Sequence, residues 1–476
     1  MAAGGPTPTE AAAHRKRQQE FEEAAQRIQS LVDNIRHEPM KLYKITVHDY
    51  KKTRASFMQR VVQSTFKAES LHEIVGMSRQ TVRKMERFGI FDDIKIQVDS
   101  PSDPRLANRP DLAHLRIFVK ESSRMELRTG TEAGNAEANM YGALKVRNLF
   151  GGAETLLTSM SFGTRTSSAF QFSLSTPVLA DPDQNLSLNL FSQARNNTQW
   201  SSYEEELKGG SVKYTTLSPI GYHEFAYEGN WREICRPSAK ASLSIREQCG
   251  HSLKSALTHT WIYDMRDEPL MPSTGHFIRL AQEYAGLGGD VEHIRNELEA
   301  QVARSNDKGY IASASFKGGY LHSLNGNPSK ISDRFFLGGP MSIRGFKSYG
   351  IGPREVKYVD HSVTISPTLI SDSLGGDAYV SAGLSLLTPF PGLSKNDSFK
   401  AHFFANAGSL ISVKPGQQAQ KTIDDLKQAP SVSVGAGIVY RHPQVRIELN
   451  FALPLMAAKT DAISRGWQLG LGINFL

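Results

Sequence analysis

Cysteine is scarce: Cys235 and Cys249 are the only two in 476 residues. That excludes a disulfide scaffold and a four-cysteine zinc site. A single 235–249 disulfide and two free thiols both fit. Long hydrophobic runs are also missing. No stretch approaches the roughly 20 apolar residues with which a helix spans a bilayer, and the longest uncharged run, residues 378–394, is broken by Ser, Thr, Gly and Pro. Neither sign of charge dominates. The 55 basic and 48 acidic residues leave +7, with no long basic run, so a nucleic-acid partner is not expected. No apolar core follows a basic start, as a secretory signal requires, so export to a bacterial outer membrane is not expected. Glu10, Glu20, Glu22 and Glu23 break the acid-poor composition of a mitochondrial presequence. His14, His48, His72 and His114 share no metal-ligand spacing with the acidic residues, and there is no nucleophile elbow, phosphate loop or HExxH motif. Asp92-Asp93 opens a strand and reads as a solvated turn. No catalytic residue, metal or cofactor is expected.

Period-two alternation is abundant. From about residue 125, apolar and polar residues alternate in segment after segment. Phe170, Phe172 and Leu174 oppose Gln171, Ser173 and Ser175. Leu186, Leu188 and Leu190 oppose Asn185, Ser187 and Asn189. Ala312, Ala314, Phe316 and Tyr320 oppose Ser313, Ser315 and Lys317. Ile447, Leu449, Phe451 and Leu453 oppose Arg446, Glu448 and Asn450. Trp467, Leu469, Leu471, Ile473 and Phe475 oppose Gln468, Gly470, Gly472 and Asn474. About sixteen such strands fit, at about 22 residues each with their loops; residues 232–250 read either as a loop or as an extra strand. A mean hydropathy of −0.37 argues against a polytopic helical membrane protein, but it is compatible with a transmembrane barrel, whose alternation averages out as hydrophilic. A polar face rich in Ser, Thr, Asn and Gly suits a wet lumen. The periodicity therefore predicts a 16-stranded antiparallel transmembrane β-barrel over 122–476, in preference to a soluble sandwich.

The first 121 residues differ. Residues 1–40 are a polar leader, helical or disordered, with a thin apolar stripe at Phe21, Ala25, Ile28, Leu31 and Ile35 on a helix over about 10–36. Residues 41–121 predict a small α/β unit of order β-α-α-β-β. It has strands at 41–48, 94–98 and 115–119, a helix over 51–66, and a second helix from Ser70, with Glu73 completing a capping box, to Gly89.

One segment breaks the barrel pattern. Residues 323–376 separate two strands by far more than a hairpin needs, and long loops are usually functional or disordered. This one carries Phe335-Phe336-Leu337-Gly338-Gly339-Pro340, then Ile343-Arg344-Gly345-Phe346, then Ile351-Gly352-Pro353. Glycines beside bulky apolar residues predict a packed, specifically folded loop.

The Ile-Arg-Gly-Phe tetrapeptide after an aromatic-Leu-Gly-Gly-Pro run resembles the loop-six signature of the BamA-type outer-membrane insertase superfamily. The resemblance implies that the loop folds into the lumen and that Arg344 docks on the inner wall. The wall motif is matched by Phe404, Asn406 and Gly408, one face of a strand, with Asn406 in the acidic place; a second wall position falls at Ser385. Both departures remove a carboxylate and imply neutral hydrogen bonds to Arg344 in place of a salt bridge.

The 41–121 unit, with its Gly89-x-Phe91-x-x-Ile94 pattern, is similar to a POTRA domain. A single such domain and no secretory signal point to the mitochondrial branch, whose member is the central barrel subunit of the sorting and assembly machinery (SAM/TOB complex). Residues 250–260 and 331–353 look like animal members, and the resemblance covers about 41–476. Gln468, Gly470, Ile473 and Phe475 fill the mitochondrial β-signal in register. The resemblance implies an insertase of the mitochondrial outer membrane, its POTRA domain in the intermembrane space. It would pair precursor β-signal strands at a lateral gate between the first strand (125–134) and the last (466–476, with Gly470 and Gly472). Implied partners are β-barrel precursor proteins, peripheral subunits on the cytosolic face, membrane lipid and the inner-membrane cristae-organising complex. A porin-like diffusion channel, a barrel enzyme such as a lipase, and a POTRA-barrel translocase are the competing readings.

Overall fold

A computed structural model describes residues 39–101, 104–106, 109, 111–134, 137–164, 166–357, 371–390, 398–414, 416–428, 430–442 and 445–472. The expected helix over 10–36, and Ile473 and Phe475, lie outside the described residues.

The chain divides into two compact units. The first comprises residues up to 125 together with 146–154 and 176–182. Its elements are β1 (Lys41–His48), α1 (Ala55–Val62), α2 (Leu71–Arg87), β2 (Phe91–Asp99) and β3 (Leu112–Glu121). The sheet order is β1-β3-β2, with β1 parallel and β2 antiparallel to β3. Val61, Ile74, Met85, Leu115 and Ile117 are fully buried between helices and sheet.

The predicted helix over 51–66 begins only at Ala55. The Glu121 carboxylate accepts the N–H groups of Lys52 (3.1 Å) and Thr53 (2.9 Å) and the Thr53 hydroxyl (2.7 Å), which fixes these residues as a loop. The helix then tightens into a 3₁₀ turn over Gln63–Lys67. At the start of α2 the Ser70 hydroxyl accepts from the Glu73 N–H (3.3 Å), and the Glu73 carboxylate accepts from the Glu69 N–H (2.9 Å).

The second unit is a 16-stranded antiparallel β-barrel. Its strands are β4 (Met125–Gly134), β5 (Glu137–Arg147), β6 (Thr155–Gly163), β7 (Thr166–Pro177), β8 (Gln184–Asn196), β9 (Glu204–Ser218), β10 (Gly221–Cys235), β11 (Gly250–Asp264), β12 (Gly275–Ala285), β13 (His293–Ser305), β14 (Ile311–Ser323), β17 (Ala378–Pro389), β18 (Phe399–Ile411), β19 (Ser431–Arg441), β20 (Arg446–Met456) and β21 (Gly466–Gly472). Each hydrogen-bonds to its neighbour in sequence order, from β4 to β21. No described helix is long and apolar enough to cross a membrane. The apolar face points outward: Leu186, Leu188 and Leu190 are 41–50% exposed. In water so wide an apolar surface would aggregate, whereas lipid covers it.

Residues 236–249 are a loop holding α3 (Leu243–Glu247), not an extra strand, and Cys235 and Cys249 are free thiols. In the segment between β14 and β17, the short strands β15 (Arg354–Val356) and β16 (Ser371–Ser373) pair with each other, while β14 pairs directly with β17. A last helix, α4 (Ala419–Gln428), stands between β18 and β19.

The capping pair at Ser70 is testable. Ser70→Ala removes a cap worth about 1 kcal/mol. Amide exchange over residues 71–76 is expected to quicken about fivefold, with β3 unchanged.

Candidate functional site: the buried loop anchor

The loop after β14 is built around tight backbone reversals. Phe335 bridges Gly376 and Leu337 bridges Ile351. Ser342 N–H donates to the Gly339 carbonyl (3.0 Å), and Gly339 N–H to the Ile343 carbonyl (3.1 Å). Phe335, Leu337, Ile343, Phe346 and Ile351 pack with Leu321, Tyr379 and Leu410 into one apolar cluster. Gly345 sits at φ +85°, where a side chain would be strained and would press on Ser433 and Pro454.

This fold delivers Arg344 into the wall almost fully buried, at 1% exposure. Its Nη2 and Nε donate to Glu448 Oε2 at 2.7 and 3.2 Å, and the guanidinium lies 4.8 Å from the centre of the Phe404 ring. Glu448, on β20, is fully buried. It also pairs with Arg446 (2.5 Å) and accepts from Asn450 Nδ2 (2.7 Å).

The neutral wall expected for Arg344 is therefore corrected: a carboxylate is present, supplied by β20. Asn406, in the acidic place, instead donates from Nδ2 to the Ser342 carbonyl (3.0 Å). Ser385 reaches the pair through a relay. Its hydroxyl lies 2.7 Å from His402 Nε2, and His402 Nδ1 lies 2.9 Å from Asn450 Oδ1. A neutral ring with its proton on Nδ1 satisfies every link: hydroxyl to ring, ring to amide, amide to carboxylate. The order resembles a catalytic triad, but His402 is fully buried and the relay ends on a structural ion pair.

The β18 motif reads the loop residue by residue. Phe404 lies against Arg344, Asn406 holds Ser342, and Gly408 leaves room for Ile343; a Cβ on Gly408 would lie 2.3 Å from Ile343 Cδ1. Gly435, paired with Phe404 across β18–β19, clears space for that ring in turn.

The loop also holds the last strand. Gly345 N–H donates to Gln468 Oε1 (2.8 Å), and Gln468 Nε2 donates to the Phe346 carbonyl (3.2 Å). Lys347 N–H donates to the Ala462 carbonyl and Ser464 N–H to that of Gly345, both at 2.9 Å. Gly470 pairs with Glu448, and Gly472 with Arg446. The smallest inward residues thus stand opposite the charged cluster.

A second anchor was not visible in the sequence. Asp333 is buried in a bidentate pair with Arg232 (2.7 and 2.9 Å) and lies 3.2 Å from Lys254, which contacts Glu283 (2.5 Å). Burial alone would raise the Asp333 carboxyl; Arg232 and Lys254 outweigh it and hold the carboxyl far below the usual carboxylate range. Ligand atoms of Glu283, His293 and Asp333 lie within 4.8 Å of one another, but the Lys254 ammonium already bridges the two carboxylates where a metal would sit. Elsewhere Asp372 takes the Ser202 hydroxyl (2.7 Å) and the Ser242 N–H (2.9 Å), and Asp461 takes the Gly352 N–H (3.1 Å).

Two outcomes follow for stability. Arg344→Ala leaves Glu448 buried without its principal partner, at a cost of about 3–5 kcal/mol. The temperature at which the barrel loses its compact migration in unheated gels should fall, and Arg344→Lys should recover it only in part, because an ammonium cannot stack and fork as a guanidinium does. The Asp333 contribution has the sign of a depressed carboxylate. It is fully present above about pH 4, the unfolded value, and is lost as pH falls toward the folded value. Asp333→Asn should abolish that acid-side dependence in a pH series of the same gel assay.

Residues 148–475 match the Omp85 superfamily domain. The sorting and assembly machinery component 50 homologue of Homo sapiens is 36% identical over 87% of this chain and 86% of its own length. A SAM50-like protein of Schizosaccharomyces pombe is 34% identical over 92% and 91%. Among solved structures, BamA from Haemophilus ducreyi lacking POTRA domains 1–3 shares the fold, with a TM-score of 0.76 at 17% identity over 91% of this chain and 84% of that one. The chain belongs to the Omp85 superfamily and, within it, to the family of sorting and assembly machinery component 50 homologues.

Proposed function

We propose that this protein assembles β-barrel precursor proteins into the mitochondrial outer membrane, and that it does so by strand pairing, not as an enzyme. The physical difficulty is that an unfinished sheet in lipid exposes unpaired backbone groups, each costing several kcal/mol. An edge strand that opens on demand relieves it. In this reading β4 and β21 separate, and the precursor's β-signal strand adds to the exposed edge by β-augmentation.

The observation that carries the reading is the hydrogen bonding of Gln468 to the backbone of Gly345 and Phe346. It fastens β21 to the anchored loop on its inner face. β21 can therefore keep its place when pairing on its free edge is lost. Gly470 and Gly472 weaken the strand itself. Arg344 is then a mechanical residue: it positions the loop that holds the gate strand.

The POTRA-like unit faces the intermembrane space in this proposal and hands on or releases precursors. Peripheral subunits would act at the cytosolic face, with a link to the inner-membrane cristae-organising complex on the other side.

Photo-crosslinking distinguishes the gate from passage through the lumen. A photoreactive residue at Leu127 on β4 should capture the last strand of an importing porin precursor, and one at Lys317 on the inner wall should not. Capture at Lys317 alone identifies a translocase. Normal porin assembly in mitochondria depleted of this protein overturns the function itself, and conductance without an assembly defect identifies a diffusion channel.

A further inference from the structure

None of the hydrogen bonds or ion pairs described above for the loop anchor involves α4, whose amphipathic face is a separate feature. Ala419, Thr422, Ile423 and Leu426 recur at the spacing of one helix face, and Lys421, Asp424, Asp425 and Lys427 occupy the rest. Ile423 remains 44% exposed. With four strands, α4 walls a groove of about 400 Å³ lined by Leu280, Leu298, Phe316, Val380, Ile423 and Leu426. Such a volume lies within the range of about 300–1,000 Å³ typical of small-ligand sites.

The strand residues form one outward row. Leu280 pairs with Leu298, Leu298 with Gly318, and Gly318 with Val380. This register alternates with the inward charges Arg279, Glu297, Glu299 and Lys317, which make their ion pairs on the other face. The groove is therefore continuous with the lipid-facing surface of the barrel. Gly318, in the middle of the row, contributes no side chain to fill it.

We propose that this groove holds one acyl chain of a bilayer phospholipid, clasped between α4 and the barrel wall. The polar groups that border the groove are largely engaged elsewhere: the Thr422 hydroxyl is bonded to the Gln418 carbonyl and Gln417 Nε2, Asn296 Oδ1 accepts from Gln282 Nε2, and the Tyr379 hydroxyl donates to Glu297. A helix satisfies its own backbone, so it can lie against hydrocarbon where an irregular loop cannot. Lys421 and Lys427 are exposed on its outer face, where they suit a phosphate at the headgroup level. The groove lies near the end of β17 where Ala378 pairs with Ile411, the end that carries the anchored loop.

The proposal rests on the reading of the outward face as lipid-facing, and one experiment separates the two. The full chain is placed in nanodiscs of phosphatidylcholine, part of it carrying a diazirine on the acyl chain. After photolysis the labelled peptides are mapped. Residues 419–428 and 378–384 are expected to label at least fivefold above the outward row Leu186, Leu188 and Leu190. Gly318→Leu should abolish the excess by filling the groove; a Cβ there meets nothing closer than 3.5 Å, so the strand is left undisturbed. Ile423→Asp should abolish it from the helix side. Equal labelling of groove and β8 row, or an excess that survives Gly318→Leu, overturns the acyl-chain site alone. No lipid labelling on either surface overturns the lipid-facing reading as well. Capture of a polypeptide in place of lipid, by a photoreactive residue at Ile423 in native membranes, also overturns the acyl-chain site.

Discussion

The buried pair of Arg344 and Glu448 is the interaction on which the barrel's interior depends. Two charges removed from water cost several kcal/mol each, and they are stable there only when geometry and further hydrogen bonds offset that cost. Here much of that cost is offset on the acidic side, where the hydrogen bonds converge on Glu448 Oε2 and Oε1 faces the Arg446 guanidinium. Glu448 meets two guanidinium groups and the Asn450 amide, and the relay from Ser385 through His402 fixes the amide. The pair gives the loop one seat on the wall, because any other position leaves a buried charge unmet.

The seat matters because of what the loop touches next. The residue after Arg344 gives its N–H to Gln468, and the residue after that receives the Gln468 amide. The ion pair and the last strand are thus separated by a single peptide unit. At the far side of the barrel, Asp333 ties the entry of the same segment to β10 and β11. The segment is strapped at both ends of its path, so movement of β21 relative to the other strands must be taken up within a few residues around 345–347 and 462–464.

Much of this is legible in the amino-acid sequence itself. Strict period two fixes which residues share a face, so sixteen strands, the Phe404-Asn406-Gly408 face and the outward leucines all follow from spacing. The Ile343–Phe346 tetrapeptide stood out because glycines and aromatics do not belong in a solvated loop. Glu448 did not stand out, because every barrel strand alternates polar residues inward, and Arg446, Glu448 and Asn450 look like any lumen-facing set. What singles out Glu448 is its register opposite Gly470 and its distance from a residue 104 positions earlier in the chain. The Asp333 anchor was hidden for the same reason, since its partners are inward charges on separate strands. The predicted helix start at 51 failed because a carboxylate 68 residues away takes the Thr53 N–H. Local sequence cannot register such contacts.

The central claim is that the anchored loop, by way of Gln468, keeps the last strand in place. Amide hydrogen exchange of residues 466–472 in the reconstituted protein tests it most directly. In Arg344→Ala, exchange in β21 should accelerate by an order of magnitude or more while β8 and β9 stay protected as in the parent protein. Unchanged protection of β21 in that variant would contradict the account.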